Sequence, residues 1–132
     1  MIYLQEDTVN QVIVTLQEKT TLDTPFYLFV FKNDTTNEEK IFTASDISTN
    51  IIRYNEFDIE VTTGPENLLT GVVNMDPSGY WKYTIYEQVS PTNLDVDNTV
   101  GIVETGKVYL QGDVKPEKIY YNESTDKKYA FE

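Results

Sequence analysis

Gly79-Tyr80-Trp81-Lys82-Tyr83-Thr84-Ile85-Tyr86 carries the only tryptophan of the chain and three of its ten tyrosines. The preceding Met75-Asp76-Pro77-Ser78-Gly79 is a dense turn signal. Side chains alternate between the two faces of an extended strand. Trp81, Tyr83 and Ile85 therefore share one face, and Tyr80, Lys82, Thr84 and Tyr86 share the other. This pattern predicts a central strand whose inner face is aromatic, with the core assembled on it. A tryptophan in phase with an isoleucine reads as core rather than as a sugar-stacking platform.

Working outward, the flanking segments alternate in the same way. Residues 1–8 read as an arm or first edge strand. In Val9–Gln17, Val12, Val14 and Leu16 share a face. Pro25-Phe26-Tyr27-Leu28-Phe29-Val30-Phe31 is apolar on both faces and too short for a typical helix. A strand of that kind needs cover on both sides. Its second side, with Phe26, Leu28 and Val30, is a candidate contact surface for the chain's own tail or for a partner. The polar turn Asn33–Glu38 leads into Lys40-Ile41-Phe42-Thr43-Ala44, so residues 25–44 read as a hairpin.

Between Arg53 and Thr63, Phe57, Ile59 and Val61 align inward, with Glu56, Asp58 and Glu60 outward. Three acids on one face are either solvated or set against a basic neighbour. Leu68–Asn74 reads as a short strand, bulged at Gly71. Gly101–Leu110 reads as a strand with Val103 and Val108 inward and a kink at Thr105-Gly106. Lys118–Tyr121 is a further short strand, and the polar tail keeps Tyr129 and Phe131 as docking aromatics. About seven strands with regular turns and no helical period predict an all-β, immunoglobulin-like antiparallel β-sandwich with extended termini. Its boundaries are 1–113, followed by a C-terminal extension over 114–132 that docks on the domain or on a neighbour. A small barrel or jelly roll is the alternative.

Composition narrows the function classes. The 132 residues include no cysteine and no histidine. Disulfides, thiol chemistry and a Ser-His-Asp triad are thereby excluded. The net charge of −12 repels phosphate backbones and anionic membranes. Nucleic acid and membrane are not expected partners. The N-terminus has no basic segment or long apolar run, so no signal peptide is expected. The glycines are scattered, so no phosphate loop is formed. Acidic residues are abundant but single out no catalytic pair. No enzyme activity and no cofactor are expected.

One spacing resembles a calcium loop: Asn93, Asp95 and Asp97, with Glu104 eleven residues after the first. Asparagine stands at the first and sixth positions, and the flanks read as strands rather than helices. An Asx-rich turn explains the stretch without a metal.

Two regions together carry a resemblance: Phe26–Lys40, and Gly79–Glu87 followed by Gly101–Val108. They resemble small virion proteins of tailed bacteriophages, similar to crAss-like phages of Bacteroidota, over roughly residues 10–112. The resemblance implies a non-enzymatic β-sandwich that decorates or cements the capsid. It implies the major capsid protein or another virion protein as partner, self-association as a further contact, and a place in the virion after assembly in a bacterial cytoplasm. A neck, connector or tail-completion protein, and a carbohydrate-binding adsorption module, are the alternatives. The contact residues read from the sequence are Phe26, Leu28, Val30, Tyr129 and Phe131.

Overall fold

The computed structural model describes residues 1–50 and 52–112. The strands are β1 (Ile2–Gln5), β2 (Thr8–Val14), β3 (Phe26–Asn33), β4 (Glu39–Thr43), β5 (Asn55–Val61), β6 (Val72–Val73), β7 (Gly79–Gln88) and β8 (Gly101–Gln111). They form a five-stranded sheet, β1-β8-β7-β3-β4, and a three-stranded sheet, β2-β5-β6. The described residues contain no α-helix, only 3-10 turns at Gln17–Lys19 and Val96–Asn98. The expected hairpin is present as β3 and β4, closed by a turn with Asn37 at φ 62°. The extension 114–132, the strand expected at Lys118–Tyr121, and the aromatics Tyr129 and Phe131 lie outside the described residues.

The fold is an all-β sandwich with immunoglobulin-like connectivity. The chain changes sheets between β1 and β2, β2 and β3, β4 and β5, and β6 and β7. It is not wholly antiparallel: β1 runs parallel to β8, and β5 parallel to β6. Only a strand joined by a hairpin must run against its neighbour. β1 lies beside the last strand of the larger sheet, far from it in sequence, and then crosses to the other layer. Nothing in the chain's local pattern reveals that direction.

β7 lies in the middle of the larger sheet, as the Trp81 stretch requires. Trp81 is fully buried, and its indole N–H donates to the Pro77 carbonyl at 3.0 Å. The aromatic ring of Phe29 stacks on Phe42 at 5.2 Å. It also meets the edge of Phe57 at 4.9 Å. Phe57 belongs to β5, so this contact joins the two layers. Val12, Leu16, Ile59, Val61, Ile85, Val103, Val108 and Leu110 are among the other side chains that fill the core.

Val103 and Val108 are five residues apart, an odd spacing that places strand side chains on opposite faces. Both are nevertheless buried in the core. The ladder between β7 and β8 shifts register between Ile85 and Tyr86, opposite Glu104 and Ile102, which leaves Val103 as the extra residue of a bulge. The kink expected at Thr105-Gly106 is therefore corrected: those residues stay in register with Thr84 and Tyr83. Gly106 serves another purpose. The Tyr83 ring lies over it, and a Cβ there would meet Cε2 of that ring at 2.6 Å. Gly106→Ala is expected to push the ring aside and cost about 1–3 kcal/mol, by analogy with overpacked cores. A urea melt identical to that of the parent chain would contradict this packing.

The strand expected over Leu68–Asn74 shortens to β6. Gly71 has φ 78°, and a Cβ on it would come within 2.7 Å of the Asp58 carbonyl oxygen. The backbone thus turns tightly against β5 at a position that admits only glycine.

Candidate functional site

The outer face of the five-stranded sheet carries two cross-strand rows. In the first, Tyr3 stands opposite Tyr109, and Tyr109 opposite Tyr80. The Tyr80 and Tyr109 rings meet edge to face at 5.0 Å, and Tyr3 and Tyr80 are largely exposed. In the second row, Lys107 stands opposite Lys82, and Lys82 opposite Lys32. Neighbouring strands lie about 4.8 Å apart, so three ammonium groups are rooted within about 10 Å. The chain has only ten cationic side chains, and three of them stand in this row. Strand alternation sets their direction, because each is adjacent to inward-facing residues such as Phe31, Trp81 and Val108.

The lysines line a groove of about 470 Å³ together with Asn33, Asp34 and Asn37. Lys107 pairs with Asp34. Among the described residues, neither Lys32 nor Lys82 has a carboxylate in ion-pair reach. Asn33 is buried and fixes the adjoining turn, its side-chain oxygen accepting from the backbone N–H groups of Thr35 and Thr36 at 2.8 Å each. The groove thus presents positive charge from rigid strands and a capped turn, which suits contact with an anionic surface.

The outer face of the smaller sheet has the opposite sign. Glu56, Asp58 and Glu60 point outward from β5, while Phe57, Ile59 and Val61 point inward. Across from them on β2 stand Ile13, Gln11 and Val9, with Ile13 and Val9 largely exposed. Glu56 accepts from the Gln11 side chain, and no lysine or arginine among the described residues pairs with these three acids.

Of the contact residues read from the sequence, Phe26 is partly exposed, whereas Leu28 and Val30 are buried. Leu28 lies between Thr43 and Tyr86, and Val30 between Ile41 and Thr84. Phe26 lines two adjoining depressions of about 340 and 240 Å³. Leu28 and Val30 offer no surface in this state.

The calcium-like spacing does not gather its carboxylates. Among the described residues no group of three acidic side chains is placed to share an ion. Asn93 accepts from the Asp95 N–H and donates to Gln88, and Asp95 accepts from the Asp97 N–H at 3.0 Å. These side chains are engaged in the turn itself. Glu104 lies apart on β8 and accepts the Tyr83 hydroxyl at 2.7 Å.

Burial, reinforced by that hydrogen bond and by the negative charge of Glu104, pushes the Tyr83 phenol well above its ordinary range. Burial also raises Tyr27, opposed by the hydrogen bond from Thr20. A raised folded-state value means that the folded chain holds its proton more tightly than the unfolded chain does. The associated stability is intact below the unfolded phenol value of about 10 and is lost as pH rises beyond it. Tyr83→Phe is expected to flatten the alkaline limb of the stability profile. An unchanged slope above pH about 10 would contradict this contribution.

No helix among the described residues is long and apolar enough to cross a membrane. Comparison of the chain with known protein families, curated proteins and solved structures finds no match.

Proposed function

We propose that this chain is a non-enzymatic structural virion protein of a tailed phage, an auxiliary capsid protein that binds the head shell. The observation that carries the binding role is the outer face of the larger sheet, where a tyrosine row adjoins a lysine row on an otherwise acidic body. Aromatic and long cationic side chains on rigid strands suit a protein contact. The assignment to a phage head rests on the resemblance carried by Phe26–Lys40, Gly79–Glu87 and Gly101–Val108. Many copies on a lattice would let individually weak contacts add up.

Mass spectrometry of purified particles tests this. The expected result is the chain in the virion at a copy number comparable to that of the shell protein. A number matching one ring would favour the neck or connector reading, and absence from particles would end the virion reading. Carbohydrate adsorption has a specific feature in its favour, the exposed Tyr3 and Tyr80 beside polar groups. Trp81 is excluded from such a platform by its burial. Glycan binding that is lost in Tyr3→Ala and Tyr80→Ala would favour that alternative.

A further inference from the structure

We infer that the lysine face of one copy docks on the acidic face of the next, so that the chain associates head to tail. The two surfaces lie on opposite sides of the same sandwich. One presents Lys32, Lys82 and Lys107, and the other Glu56, Asp58 and Glu60. Each charged row is bordered by exposed apolar side chains: Tyr80 and Tyr3 on the first face, Val9 and Ile13 on the second. Charge and apolar surface are thus matched on both sides, as in a contact with a buried centre and a polar rim.

The geometry of the rows sets the docking angle. The lysines run across three strands over about 10 Å, whereas the acids run along one strand over about 13 Å. They overlay when the second copy is turned by roughly a right angle, an arrangement that packed sheets also adopt. Because different faces meet, the contact is heterologous and extends into an open stack or closes into a ring. This inference holds whether or not the chain belongs to a virion.

The net charge of −12 opposes association at long range. At about 0.15 M salt the screening length is about 8 Å, which damps repulsion between whole molecules but spares ion pairs in contact. Near 1 M, with a length of about 3 Å, the contacts weaken as well. Association is therefore strongest at intermediate salt and falls on either side.

Sedimentation of the full chain across this salt range is the test, with folding of every variant checked by circular dichroism. The expected result is species larger than dimers at about 0.15 M that dissociate toward 1 M. Lys32→Glu/Lys82→Glu and Asp58→Lys/Glu60→Lys should each weaken association about a hundredfold or more. An equimolar mixture of the two should assemble again beyond dimers, since the native pair of faces survives between them and the two reversed faces are also opposite in charge. Lys19→Glu/Arg53→Glu alters the net charge as the lysine-face double does but leaves the face intact, and should still associate. A parent chain that is monomeric throughout, a mixture that does not pair, or equal loss in the charge-matched control would each overturn the inference.

Discussion

Trp81→Ala is expected to destabilise the domain by about 3–5 kcal/mol, the range for truncating a large buried aromatic. The indole is fully enclosed, and it also satisfies the Pro77 carbonyl. Its removal leaves a cavity and breaks that hydrogen bond. Domains of this kind retain only about 5–15 kcal/mol in total, so the loss is a large share. The thermal midpoint should fall on the order of 10–20 °C. Trp81→Phe should lose less, because a ring still fills part of the space. A midpoint unchanged in the alanine variant would mean that the core does not rest on this strand.

Phe29→Ala is the second large expectation, again about 3–5 kcal/mol. This ring touches Phe31 and Phe42 within its own sheet and Phe57 across the sandwich. The contact with Phe57 is separable by a double-mutant cycle. Ring pairs of this geometry couple by about 0.5–1.5 kcal/mol beyond the area they bury. Phe29→Leu and Phe57→Leu, alone and together, should return a coupling in that range by denaturant unfolding. Strictly additive losses would place the two rings in independent environments, contrary to a core shared by both layers.

The layer structure was legible because alternation is a local property. Phe57, Ile59 and Val61 announce their inward face within seven residues, and Trp81, Tyr83 and Ile85 do the same. Direction and register are not local. The parallel run of β1 beside β8 depends on which sheet edge the N-terminus reaches. The bulge at Val103 was implicit in the odd spacing to Val108, but the adjacent glycine drew the kink to the wrong place. Gly106 is glycine because Tyr83 needs the room, a reason visible only once the two strands are paired.

The candidate site was half legible for the same reason. Glu56, Asp58 and Glu60 are alternate residues of one strand, so their shared face is readable directly. Lys32, Lys82 and Lys107 are far apart in sequence and become a row only through two strand registers. Each lysine alone is an ordinary solvated charge. The apolar second face of Phe26–Phe31 pointed to a contact surface, but Leu28 and Val30 are buried and Phe26 is the exposed member.

The most direct measurement is a lysine acetylation footprint of the chain, free and assembled, read residue by residue. If the lysine face is the contact surface, Lys32 and Lys82 lose reactivity on assembly, with Lys107 following, while Lys19 keeps its own. Equal reactivity of all four in the free and assembled states would contradict it.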